Sequence, residues 1–427
     1  MTVNCVASGR HPLTYQQWAR LERERQARDA GDTLRTNLIS EEHDLVGDLN
    51  PRAFRNAARQ ITRRHPALRA AFLGDQVNVC PCDLSDAGVQ VSDDVAGPGF
   101  PADRHSRARL QLRRIGPRKH RVALSADHLV FDGHSSRVFW RDFWAAYTAG
   151  HDPAPQAAAG CRCQPAFLEF IHHQAEQRRS LSPGLREAIS ILEERDSPLG
   201  YVELPVRLEL SQVGSRAVAT HTHPLPDSFG ETLREYARSR RTTPFVVIAT
   251  AVFAALHRLT GAARPMVYTY LRNRRTSAER DAIGWFSATV LLLGAVTSDQ
   301  TLAAALGAAK SVLARAQVSG AVATELLHRE RDAGNRHAVL PSVSLSLADE
   351  EPEPLTADGL VIQRRHDVET PATWLPRGRI AIEVSRARVE VSHEVERFSP
   401  ATVAALAETF TTTLQEITRD EGARVGR

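Results

Sequence analysis

Residues 125–136 read SADHLVFDGHSS and continue the apolar-rich run RVALSA at 121–126. An extended run that stops at Asp-His, resumes as Leu-Val-Phe and breaks at Asp-Gly ahead of a helix-forming stretch reads as a strand-end loop. A histidine there is presented to a cleft with a rigid strand behind it. Its ordinary pKa lies near neutrality, so neutral imidazole can take a proton from an incoming amine or hydroxyl. Asp132, four residues on, can orient His128 or anchor the loop through an arginine, and Gly133 is conformationally permissive. A plain turn explains the same letters, because Asp-Gly is a common turn dipeptide and the chain holds 17 histidines.

Upstream of the loop, RARLQLRRI (107–115) alternates and, with HRVALSA (120–126), gives extended segments. Downstream, Phe139, Phe143 and Tyr147 lie four apart in a stretch that ends at Gly150, the pattern of one helix face. Asn50 followed by Pro51 marks another helix start, with Phe54, Ala57, Ala58 and Ile61 in helical period. Short strands are expected near Ala70–Phe72 and Gln76–Val79, and a helix over 165–179. The composition loosens over 180–188 and 195–210, a crossover between two halves. The second half predicts helices over 227–240, 243–259, 301–316 and 399–417, the second apolar nearly all round and therefore buried. MVYTYL (266–271), ATVLLLG (288–294) and SVSLSL (342–347) read as extended, and RIAIEV (379–384) with RVEVSHEV (388–395) as a hairpin. Mixed strands and helices in two halves, 1–180 and 181–427, predict an α/β (α+β) two-layer architecture.

Composition excludes several classes. Hydrophobic residues make up 42% of the 427 and charged residues 24%, as in soluble globular proteins. No apolar run approaches the ~20 residues of a membrane span, and the N-terminus lacks a secretory pattern, so a cytoplasmic location without a membrane partner is expected. The net charge is +4, and the arginines are scattered among acids with no basic stripe, so no nucleic-acid partner is expected. Cys5, Cys80, Cys82, Cys161 and Cys163 form two Cys-x-Cys pairs that, with His172 and His173, invite a zinc reading. One intervening residue is too few for the usual paired thiol ligands, so reduced structural thiols and no metal are expected. There is no Gly-x-Ser-x-Gly elbow, no Walker loop and no dinucleotide fingerprint. His366 and Asp367 lack a second ligand at helical spacing, and DEEPEP (349–354) reads as a solvated loop.

DHLVFDG (127–133) resembles the His-His-x-x-x-Asp-Gly motif of nonribosomal peptide synthetase condensation domains, relatives of the chloramphenicol and carnitine acyltransferases. RRHPALRAAF (63–72) resembles that family's Arg-His-Glu-x-Leu-Arg-Thr-x-Phe segment, and LTYQQW (13–18) loosely resembles its Ser-x-Ala-Gln motif. FLEFI (167–171), TPFVVIATAVFAALHRLTG (243–261), YLRNR (270–274) and IGWFSATVLLL (283–293) follow in the family's order, the last similar to Ile-Gly-x-Phe-Val-Asn-Thr. The resemblance spans about residues 10–418.

It implies two chloramphenicol-acetyltransferase-like subdomains in a V-shaped pseudo-dimer with a central tunnel. The donor would be an acyl or aminoacyl thioester on carrier-protein phosphopantetheine, or acyl-CoA, with no cofactor bound. The acceptor would be a small-molecule amine or alcohol, and the product an amide or ester in natural-product biosynthesis. His128 matches the motif histidine beside the attacking group, Asp132 the structural aspartate and Arg274 its partner. The Gly133 amide is a candidate oxyanion donor, with Ser135 as a candidate additional one, and Ser135, His134, Trp285 and Ser287 are candidate tunnel residues. Asp127 replaces the motif's first histidine; a carboxylate there would strengthen the loop or raise the pKa of His128. His134 stands where Trp is common, Ala288 replaces the family's asparagine, and segments 318–327 and 336–345 keep little of the later motifs. With no carrier or adenylation segment in the sequence, a free-standing condensation enzyme is expected. A non-catalytic recruitment module, and cyclisation or dehydration of a tethered intermediate, are the other readings.

Overall fold

The computed structural model of the chain describes residues 9–29, 38–80, 89–92, 107–150, 163–179, 183–195, 218–320, 322, 324, 343–348, 355–357, 359–365, 380–395, 398–420 and 422–426. They divide into two units. The first comprises Met1–Ser180 with two later segments, Arg272–Ser287 and Glu351–Thr370. The second comprises Leu181–Leu271, Ala288–Glu350 and Pro371–Arg427.

The first unit is built on a six-stranded sheet. Its order is Thr356–Ala357, Leu360–Arg364, Leu38–Gly47, Lys119–Asp127, Ala108–Gly116 and Val89–Ser92. Neighbours run antiparallel except the last pair. Alternation puts Leu110, Val122, Leu124 and Ala126 on the buried face. Helices Pro51–Arg64 and Gly133–Ala149 supply the rest of that core with Phe54, Phe139, Trp140, Phe143, Trp144 and Tyr147. Pro51 occupies the first turn, and the Asn50 side chain accepts from the Arg52 and Ala53 amides, so this start was legible. A small second sheet joins Gly9–Pro12, Gln76–Val79 and Ala70–Leu73.

Strand Leu38–Gly47 was not legible as a strand, because its core-facing positions include Glu41 and His43. Trp140 resolves this: its indole N–H donates to Glu41 at 3.0 Å, and its ring meets the His43 ring edge-on at 4.5 Å. Burial and the nearby Arg364 lower the His43 pKa to about 4, so the ring packs as a neutral group.

The second unit carries its own six-stranded sheet. Its order is Ala288–Leu293, Met266–Leu271, Val343–Leu347, Ile380–Val384, Arg388–Glu394 and Val218–Pro224. Val343–Leu347 runs parallel to both neighbours, and the other pairs are antiparallel, including the expected hairpin. Helix Pro244–Thr260 lies in the core, buried continuously from Val246 to His257 as its composition predicted. Thr243 caps it by accepting from the Val246 amide, and Gly261 ends it at φ 73°, a conformation that favours glycine. Helix Pro400–Arg419 packs beside it through Val403, Leu406, Phe410 and Leu414.

Both sheets with their helices give the mixed α/β class that the sequence predicted. No single helix among the described residues is long and apolar enough to cross a membrane. Cys5, Cys82, Cys161, residues 349–354, His366 and Asp367 lie outside the described residues, as do most of 195–210. Cys80 is buried and Cys163 partly so, and no group of three or more metal-ligating side chains occurs among the described residues.

Candidate active site

Strand Lys119–Asp127 ends where the Asp127 N–H donates to the Arg107 carbonyl at 2.8 Å. The Val130 N–H then donates to the Asp127 carbonyl at 3.1 Å, closing a turn around His128. Leu129, Val130 and Phe131 are buried apolar anchors, which explains why the loop resumes as a hydrophobic triplet. Gln17, from the LTYQQW segment, donates its side-chain amide to the Leu129 carbonyl at 2.7 Å. Helix Gly133–Ala149 starts straight after, with Asp132 as N-cap accepting from the Ser135 amide at 2.8 Å.

Asp132 does far more than cap. Its Oδ1 lies 2.8 Å from Arg274 Nη2, and its Oδ2 accepts from the Phe286 and Ser287 amides at 3.1 and 3.2 Å. Burial pushes this carboxyl up, but the Arg274 guanidinium and the Ser135 donors outweigh it and hold the pKa below the ordinary 3.8. Arg274 also donates to the carbonyls of Ala282, at 2.7 Å, and Glu279, and lies over the Phe286 ring at 4.0 Å. The carboxylate therefore ties the loop to segment 282–287, and the Arg274 pairing expected from the sequence is present.

That tie delivers Trp285 to His128. The two half-buried rings lie 4.5 Å apart, tilted by 43°. Burial lowers the His128 pKa first and the positive Arg20 second, against weaker upward pulls from Asp132 and from the carbonyls of His128 and Phe131. The imidazole is thus neutral at physiological pH, the form that a proton acceptor needs.

Two expectations need correcting. Asp127 was given two possible roles; the geometry places it in the first, and the His128 pKa is lowered, not raised, by burial and Arg20, with Asp127 absent from its causes. Asp127 pairs with Arg20 at 2.8 Å and Arg107 at 3.1 Å, so its charge is spent on those guanidiniums. Ser135 is buried within the brace: its hydroxyl is bonded to Asp132 Oδ1 and the Gly284 carbonyl, both at 2.8 Å, so its one proton is committed there rather than to an oxyanion. Gly133 is exposed in the first helical turn, with open space around its Cα. His134 Nε2 donates to the Arg280 carbonyl at 2.8 Å and so holds the 277–280 turn. Ser287 accepts from the Gln16 side chain at 3.2 Å through its carbonyl. Sequence reasoning missed Arg20 and Arg107; an unmatched acid at 127 was the signal that buried cations had to answer it.

Comparison with known proteins matches the condensation domain family model to residues 40–426. The chain belongs to the condensation domain family. A curated relative is the chondramide synthase of Chondromyces crocatus, 25% identical over 414 residues, or 90% of this chain and 10% of that synthase. The condensation domain described here thus spans a tenth of that relative's length. Among solved structures, the first condensation domain of the calcium-dependent antibiotic synthetase, in complex with a substrate analogue, aligns over 99% of both chains. Its TM-score is 0.70 at 20% identity. The X-domain from teicoplanin biosynthesis aligns over 97% of this chain and 96% of its own, with a TM-score of 0.76 at 19% identity. In this condensation domain the 127–133 loop is braced by the Asp132–Arg274 pair, and its first residue, Asp127, is paired with Arg20 and Arg107.

Proposed function

We propose that this condensation domain transfers an acyl or aminoacyl group from a phosphopantetheine or CoA thioester to an amine or alcohol, making an amide or ester in natural-product biosynthesis. The observation that carries the reading is the neutral, half-buried His128 imidazole on a loop fixed by Asp132 and Arg274. As the acceptor nitrogen or oxygen adds to the thioester carbonyl carbon, His128 takes its proton. The tetrahedral intermediate then collapses, the C–S bond breaks, and the imidazolium returns the proton to the departing thiolate. The exposed Gly133 amide, at the positive end of a 17-residue helix, is the donor suited to the developing oxyanion. Holding both substrates in attack geometry supplies much of the acceleration.

The test is product mass after incubating the purified protein with acyl-pantetheine and acyl-carrier thioesters and a panel of amines and alcohols. His128→Ala is expected to lower kcat/KM by about 10²–10⁴-fold. Product formation unaffected by that change would remove the base role.

A second reading is favoured by Asp127 at the motif's first position: a non-catalytic module that recruits other enzymes to carrier-bound substrates. Absence of turnover with every donor, together with tight binding of an acylated carrier protein, would select it.

A further inference from the structure

Beneath the catalytic loop lies a buried charge cluster that the acyl-transfer steps leave unused. Arg20, on helix Tyr15–Asp29, reaches Glu24 through Nε at 2.7 Å and Asp127 Oδ1 through Nη1 at 2.8 Å. Arg107 reaches Asp127 Oδ2 at 3.1 Å and the Ala70 carbonyl at 3.3 Å. Asp127 Oδ1 also accepts from the Leu129 amide at 3.0 Å. Arg107, Asp127 and Arg20 are 0%, 3% and 8% exposed.

Charges buried this deeply persist only when paired and hydrogen-bonded. Here the pairing grips both oxygens of the residue immediately before His128, and the same carboxylate holds the amide of the residue immediately after. A clamp on 127 and 129 leaves the intervening Cα, and hence the direction of the imidazole, little freedom. The two guanidiniums are balanced by the Glu24 and Asp127 carboxylates, so a protonated His128 would add a third cation beside them.

We propose that Arg20 is a positioning residue for His128: bridged between Glu24 and Asp127, it secures the 127–129 turn that aims the imidazole and places a fixed cation beside it. Its consequence for rate rests on the acyl-transfer reading above. The charged groups acting on the ring are Arg20 and Asp132; Arg20 is paired with Glu24 and Asp127, which also holds Arg107, Asp132 is paired with Arg274, and Trp285 presents an uncharged face. After burial, Arg20 is the strongest influence lowering the His128 pKa.

The test is an NMR titration of the His128 ring in the full chain, assigned by comparison with His128→Gln. Arg20→Met is expected to move the His128 midpoint upward, and Arg20→Lys, which keeps the charge, to leave it near the original. Glu24→Gln removes the carboxylate that screens Arg20 and is expected to move it downward. Opposite signs from two residues in one ion pair would not arise from a merely structural role. With the acceptor assay, Arg20→Met is also expected to cost about 10- to 100-fold in kcat/KM through misplacement of the base. An unchanged midpoint in folded Arg20→Met overturns the proposal. Should that variant not fold, an unchanged midpoint in Glu24→Gln overturns it instead. The titration needs no turnover, so the expected shifts in a protein without acyl-transfer activity would sink the proposed function and leave the role of Arg20 standing.

Discussion

Gly284 abuts the ring of Phe167 so closely that a β-carbon on it would sit 2.2 Å from Phe167 Cδ2. This contact joins two segments that look unrelated in the sequence, the FLEFI helix and the Ile-Gly-Trp-Phe run. It explains why the residue before Trp285 has no side chain. Phe167 is buried and its ring meets Phe286 at 5.5 Å, so it cannot swing away cheaply. Gly284→Ala is expected to destabilise the fold by about 1–3 kcal/mol through overpacking. A urea titration reads this as a lower midpoint with an unchanged slope.

The Asp132–Arg274 pair is expected to behave as a coupled unit. Removing either partner leaves the other charge buried, so Asp132→Ala or Arg274→Ala should each cost about 3–5 kcal/mol. The double variant Asp132→Ala with Arg274→Ala should cost clearly less than the two single losses added together. Simple additivity in a double-mutant cycle would show that the pair does not brace the loop.

Trp285→Ala removes the ring lying against His128. The expected result is a fall of about 10-fold in kcat/KM, with a melting temperature close to that of the parent, because the indole is half-buried. Hydration of the imidazole should rise, moving the acid limb of the pH–rate profile upward. Trp285→Phe should recover most of the loss, which steady-state kinetics across pH 5–8 would reveal.

The fold should be acid-labile from pH 6.5 downward. His43, His65, His128 and His393 all have pKa values lowered from 6.5, chiefly by burial. Below 6.5 the unfolded chain binds protons that the folded chain refuses, so stability present above that pH is lost as pH falls. His43 alone, lowered to about 4, accounts for roughly 3 kcal/mol. Asp132 and Asp142, held below 3.8, add a second loss at lower pH. Melting temperatures measured from pH 8 to pH 4 should hold down to about pH 6.5 and fall below it; a flat profile would contradict the buried neutral rings.

Sequence periodicity carried the elements whose apolar faces are unbroken, such as Pro244–Thr260 and the Ile380–Glu394 hairpin. It failed at Leu38–Gly47, where Glu41 and His43 face inward and are answered by distant partners, Trp140 for both and Arg364 for Glu41. The candidate site divides in the same way. His128, Asp132 and Gly133 are contiguous in one motif, and Arg274 follows from the resemblance. Arg20 and Arg107 are two arginines among dozens, and only tertiary structure singles them out.

The brace on Asp132 comes from residues 272–287, which belong to the first unit although they follow much of the second in the chain. Hybrids that exchange residues 1–180 as a cassette would therefore inherit His128 without its own Arg274, Trp285 or the strand Leu360–Arg364 that pairs with Leu38–Gly47. Recombination that keeps chemistry intact has to move three separated pieces of gene together, which makes this half of the molecule hard to shuffle and easy to break.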